Sequence, residues 1–371
     1  MNKIIQIIAI LLLLASCNGN KTGHTLKDGD TIHFQYAENI EMVKYPSCIV
    51  VRLKNPWRTG TYLHTYILTE SDHFDSSQIN GTTIKIPLQR SVVFNTAHAS
   101  LIGMLNKTEQ IKGVCDLKYM NLPDIHHFVK QKTIVDCGNS MSPDIEKIID
   151  LKADGILLSP FENSGGYGKL EKIEIPIIEC ADYMETSALG RAEWMKFYSL
   201  LFGCEQQADS LFDEVERNYM QLKQKAKTST IQRSIITERM TGNTWYVAGG
   251  RSSVGKLIAD AKGIYAWSGD QHSGSLALPF EAVLDKAGHA DVWIFNDSNN
   301  PPLTYPRLLS EYHGYSSMKA FQDRQIYVVN SMQVPYFEQV SFRPDWLLRD
   351  YIILLHPDLN LGELKYFKPL Q

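Results

Sequence analysis

The chain has 371 residues, of which 44% are hydrophobic and 21% charged, and it carries a net charge of −4. At about 150 residues per domain it holds one large or two medium folded units, and its ordinary globular usage excludes collagen-like, coiled-coil and disordered chains. A mildly acidic chain with scattered Lys and Arg speaks against nucleic acid as a partner, and a single apolar run excludes a polytopic membrane protein.

That run lies at the start. Lys3 precedes residues 4–15, which are apolar except for Gln6. About twelve residues are too few to span a hydrocarbon core of about 30 Å, but they have the length of a signal-peptide h-region. The run ends in Leu14-Ala15-Ser16-Cys17, which resembles the lipobox of bacterial lipoproteins. The resemblance implies removal of residues 1–16 and lipidation of Cys17, which anchors the chain to the membrane on the periplasmic side of the cell envelope. Residues 17–29 then read as a polar tether. Five cysteines remain, Cys48, Cys115, Cys137, Cys180 and Cys204, without a CxxC pair. An odd count leaves at least one unpaired, and buried free thiols are the simpler reading.

Residues 30–187 read as a β-rich extension followed by an N-terminal α/β lobe. Strands are predicted at residues 32–36, 48–53, 62–68 and 83–88 by their alternation. Residues 91–94 read as a buried strand, 95–98 as a loop, and 100–105 as the start of a helix. Ser142-Pro143-Asp144 predicts a helix start with a capping Ser and Pro in the first turn. Residues 154–159 and 176–179 read as further strands. The block 188–228 is helical, interrupted at Gly203-Cys204, and its aromatic stripe reads as packing. Residues 229–371 form a second α/β lobe, with strands predicted at 234–236, 245–248, 291–295 and 326–329 and a last helix over 346–355. Alternation of this kind argues for α/β sheets, and two lobes flanking a connector place a cleft between them.

Gly250, Gly255 and Lys256 imitate a phosphate-binding loop, but Leu257 stands where Ser or Thr must hold magnesium. The better reading of these glycines is close approach of backbone to a ligand. No GxSxG, HExxH or spaced His set suggests a nucleophile or a metal site. Tyr119, Phe161, Tyr167, Trp245, Tyr265 and Trp267 sit near predicted strand ends, where open α/β sheets bind ligands. Together they suggest a large, flat, partly apolar ligand, with Arg251 and His98 as sources of charge or a donor. The sequence implies no enzyme activity and no cofactor.

Several segments resemble the periplasmic binding proteins for ferric siderophores, haem and cobalamin. They are Asn139-Ser140-Met141-Ser142-Pro143-Asp144-Ile145-Glu146 with Ala153-Asp154-Gly155-Ile156-Leu157, then Gly190-Arg191-Ala192-Glu193-Trp194, Leu278-Pro279-Phe280-Glu281-Ala282-Val283, and Pro344-Asp345-Trp346-Leu347. The order and spacing of these segments, over residues 90–358, carry the resemblance. It implies two Rossmann-like lobes joined by a long rigid helix, a monomer that binds ligand in the inter-lobe cleft, and docking on an ABC permease. Cleft positions implied by the resemblance are Tyr119, Asn139, Phe161, Trp245, Arg251 and Trp267. Glu146 and Glu281 are the implied permease contacts, one from each lobe. Two other readings are an exported α/β hydrolase, which lacks a legible nucleophile elbow, and a nutrient-capture lipoprotein without a permease.

Overall fold

The computed structural model describes residues 29–77, 79–162 and 166–371. The expected signal segment, the lipidation of Cys17 and nearly all of the tether fall outside these described residues.

An N-terminal five-stranded sheet comes first: Asp30–Ile32, Ile40–Lys44, Ile49–Lys54, Tyr62–Thr69 and Thr82–Lys85, in that spatial order. The first four strands pair antiparallel and the last pair is parallel. The strand expected at 32–36 ends at Ile32 for an electrostatic reason. The amides of Gln35, Tyr36 and Ala37 turn away and donate to the buried carboxylate of Glu193 at 2.9, 2.8 and 2.9 Å. A carboxylate holding several amides is a strong charge-assisted site, and it fastens the extension to the helical region.

The first lobe is a five-stranded parallel sheet. Its order is Ile177–Glu179, Gly155–Leu158, Ser91–Val93, Ile111–Val114, Val135–Asp136. The chain thus winds outward from Ser91–Val93 in one direction and later from Gly155–Leu158 in the other. Every residue of Ser91–Val93 and Gly155–Leu158 is buried, as parallel strands covered on both faces require. The second lobe orders Ile264–Tyr265, Ser234–Thr237, Val292–Asp297, Ile326–Asn330 and Lys368–Pro369, with only the last antiparallel. The segment read as a lobe strand at 245–248 belongs instead to a separate antiparallel sheet, Met240–Thr241, Thr244–Ala248 and Ser275–Leu278.

Between the lobes run Ala188–Glu193, Met195–Phe202 and the 22-residue helix Glu205–Ala226. Gly203 takes the left-handed conformation at φ +60 that ends the second of these, a common helix stop. The last helix, Pro344–Leu355, packs along Glu205–Ala226. The lobes also touch directly. The short helix Tyr336–Gln339 packs on Thr96–Met104, and buried Glu338 accepts from the Thr96 hydroxyl (3.0 Å) and the Asn121 amide (2.8 Å). All five cysteines of the described residues are buried and free.

Candidate ligand cavity

In an open parallel sheet, the crevice at the carboxyl ends of the strands opens where the winding reverses. Here that point lies between Ser91–Val93 and Gly155–Leu158. A cavity of about 890 Å³ sits there. Phe94, Asn95 and Thr96 line it from the end of one strand, and Leu158, Ser159 and Phe161 from the end of the other. Asn95 joins the two ends: its carboxamide oxygen caps the helix Thr96–Met104 through Ala97 N (2.8 Å), and its nitrogen donates to Ser159 Oγ (3.2 Å). The helix expected to begin near residue 100 begins at Thr96 because Asn95 supplies this cap.

The rim is polar and fixed. Asp116 adopts φ +55, and its carboxylate accepts from the backbone (3.3 Å) and hydroxyl of Ser140. Ser140 and Met141 occupy the turn of a small hairpin, Gly138–Asn139 against Ser142–Pro143. The predicted helix start there is displaced by two residues. Asp144 is the cap, accepting from Lys147 N at 3.2 Å, so Ser142-Pro143 forms a strand and the helix runs Ile145–Asp150. Lys118 lies 4.5 Å above the Tyr119 ring, and its ammonium is held above the usual lysine range by that phenol. Tyr119 (60% exposed), Met141 (76%) and Phe161 (47%) all line this cavity. Large apolar side chains left in water around one concavity mark an interaction site.

The sequence-predicted positions divide. Tyr119 and Phe161 line the cavity, and Tyr167 does too. Asn139 is exposed on the hairpin, where its side chain accepts from Met141 N (2.8 Å), and it is not part of the cavity lining. Trp245 and Trp267 are core residues, contrary to the cleft expectation. Trp245 is fully buried, donates its indole N–H to Thr237 O (3.0 Å) and packs 5.4 Å from Trp293. Trp267 is buried beside Tyr265, with their ring centroids 5.6 Å apart. His98 is likewise removed from the cleft: its Nε2 lies 2.9 Å from Asp182 inside the first lobe. Arg251 is exposed on the 249–252 loop, outside the cavity lining. The glycines beside it do permit close approach, but to their own chain. A Cβ on Gly250 would meet the carbonyl oxygens of Trp267, Ser268 and Asp270 within 2.6 Å. Glu146 stands exposed on the cavity rim in the first turn of Ile145–Asp150, and Glu281 is exposed in the first turn of Phe280–Ala287.

Thr96, Asp116, Ser140 and Met141 escaped sequence reasoning. Their signal is positional: each follows closely on a strand end, but that pattern gains meaning only once the strand order is known.

A sequence profile described as periplasmic binding protein matches residues 97–332. An uncharacterized lipoprotein of Methanocaldococcus jannaschii is 24% identical over 298 residues, 78% of this chain and 70% of its own length. A second lipoprotein of that organism is 24% identical over 393 aligned residues, covering 98% of this chain and 97% of its own. Among solved structures, a periplasmic binding protein from Veillonella parvula superposes with a TM-score of 0.61 at 10% identity, covering 84% of this chain and 99% of that one. A possible iron-binding, periplasmic solute-binding protein from Staphylococcus epidermidis reaches 0.57 at 18% identity (72% and 98%). A periplasmic heme binding protein from Pseudomonas aeruginosa reaches 0.57 at 13% (76% and 98%). At these identities the structural likeness establishes the two-lobe fold.

Proposed function

The chain belongs to the periplasmic binding protein family, and from that premise we propose that it is the lipid-anchored substrate-binding component of an ABC importer for a ferric siderophore, haem or a corrinoid. One observation carries the ligand class. The cavity at the winding reversal, about 890 Å³, is at the upper end of the range of about 300–1,000 Å³ usual for small-molecule sites. It also presents exposed aromatic faces at Tyr119 and Phe161. A flat, bulky guest stacks on such faces, while Asn95, Thr96 and the serines of the rim offer it hydrogen bonds. In the reading, binding needs no bond making or breaking. The guest fills the crevice, whose lining lies between residues 94 and 170 of the first lobe, and the loaded shape is what the permease receives.

Docking falls to Glu146 and Glu281. Each is a carboxylate in the first turn of a helix, where the macrodipole favours it, and each is exposed. Two separated anions, one per lobe, form a two-point electrostatic contact that orients an encounter. Cys17 would hold the assembly at the membrane. The test is uptake of a radiolabelled iron chelate or tetrapyrrole by cells carrying the permease. The Glu281→Lys variant, whose position is outside the cavity lining, is expected to lose uptake while its isolated form retains ligand affinity. Unchanged uptake would contradict the docking role.

A further inference from the structure

We infer that the N-terminal five-stranded sheet is a working part of the ligand site, acting through His64, Glu179 and Tyr167 to fix one wall of the cavity. The inference rests on the cavity being the ligand site proposed above. The sheet, residues 30–85, lies outside the segment matched by the family profile, residues 97–332.

Tyr167 lines the cavity and stands between two glycines of positive φ, Gly166 (+93) and Gly168 (+59). The crossover that carries it, from Gly155–Leu158 to Ile177–Glu179, contains among its described residues only the short 3₁₀ turn Gly168–Lys172. Such a backbone has little stiffness of its own, so this wall is set by its side-chain anchors. Tyr167 has two such anchors: its amide donates to Glu171 Oε1 at 2.6 Å, and its phenol donates to Glu179 Oε1 at 2.6 Å, which ties it to the lobe's edge strand.

Glu179 ends the edge strand of the first lobe, and the N-terminal sheet holds it from the far side. Its amide donates to the Tyr66 hydroxyl (2.8 Å), which in turn donates to Ile177 O (3.2 Å). Its Oε2 makes no hydrogen bond and faces His64 Nδ1 at 3.4 Å. The His64 ring is itself fixed, with Nε2 2.8 Å from Thr82 Oγ1 and its face stacked on Tyr66 at 4.3 Å. Covering a sheet edge needs only apolar contact. A histidine clamped by a threonine and a tyrosine, and aimed at the carboxylate that holds a cavity residue, does more. His64 and Glu179 are therefore positioning residues, and Tyr167 is the residue they position.

The experiment uses the chain with three variants, His64→Ala, Tyr167→Phe and Glu179→Leu, and the conservative Glu179→Gln, whose carboxamide oxygen still accepts the phenol. Two readouts are taken: hydrogen exchange of the amides of residues 166–173, and affinity for haemin, cyanocobalamin and a ferric trihydroxamate. Tyr167→Phe and Glu179→Leu, which lose the charge-assisted bond, are expected to speed exchange and to weaken the probe that the parent chain binds, each by about tenfold, and His64→Ala, which loses only the 3.4 Å contact, is expected to do so by less. Glu179→Gln should stay within about twofold, and His64→Ala combined with Tyr167→Phe should go no further than Tyr167→Phe alone, as residues in one relay do. Unchanged exchange in folded His64→Ala and Tyr167→Phe would overturn the relay. Faster exchange with unchanged affinity would overturn its role in the ligand site. If the parent chain binds none of the probes, the ligand reading and the relay's role in recognition fall together, and the exchange data alone decide whether the relay positions the wall.

Discussion

His98 shows how a residue that looks like a ligand contact becomes a structural one. It lies on a helix that is buried from Ala97 to Ile102, and its ring meets a carboxylate that also takes Arg191 Nε (3.0 Å) and the Tyr198 hydroxyl (3.0 Å). Burial pushes the Asp182 carboxyl upward, but His98 and Arg191 outweigh it and hold the acid below its usual range. A depressed carboxylate contributes stability above its unfolded pKa, and the contribution is lost as pH falls through the folded value. Asp182→Asn should therefore cost about 3 kcal/mol at pH 7, the order seen when a buried pair loses one partner. The gap to the parent chain should close at acid pH. Urea denaturation at pH 7 and at pH values below about 4 checks both the size and the sign. The sequence offered only a histidine following a strand. Nothing local to it announces Asp182, 84 residues away, and the same holds for Trp245, whose partners Trp293 and Tyr315 lie far along the chain.

At the scale of elements, the strong periodicities were legible and the junctions were not. The block 188–228 and its break at Gly203-Cys204 match the helices found, because a Pro-free amphipathic run followed by Gly is a local signal. Glu193, far along the chain, ends a strand early and is a tertiary cause, whereas Asn95 and Asp144 are local caps that hold amides two and three residues on. Gly203 gives a prediction here. Its φ of +60 disfavours any L side chain by about 1–2 kcal/mol, and an added Cβ would also sit 3.2 Å from Pro87 Cβ. Gly242 shares φ +60 but has nothing within 4 Å of the added atom. Gly203→Ala is thus expected to destabilise more than Gly242→Ala, measured as the shift in urea midpoint at constant slope. Equal shifts would show that the Pro87 contact adds nothing.

The described residues build two wound sheets, the N-terminal sheet and a small antiparallel sheet beside the second lobe, and buried carboxylates hold the parts: Glu193 to the extension, Glu338 across the lobes, Asp182 within the first. The two-lobe class was legible because alternation of strand and helix is periodic along the chain. The cavity was only half legible. Aromatic residues near strand ends can be named from sequence, but which ends meet depends on strand order, and only the reversal between Ser91–Val93 and Gly155–Leu158 selects Tyr119 and Phe161 over Trp245 and Trp267. The account therefore stands or falls on what enters that space. Calorimetric titration of the chain from residue 25 onward with haemin, cyanocobalamin and ferric siderophores, repeated on the Tyr119→Ala, Phe161→Ala double variant, measures it directly. The account predicts saturable one-to-one binding of at least one of these guests, weakened by about a hundredfold in the variant, at about 1–3 kcal/mol per stacked face. Silence with every guest, or an affinity that the double variant leaves intact, would contradict it.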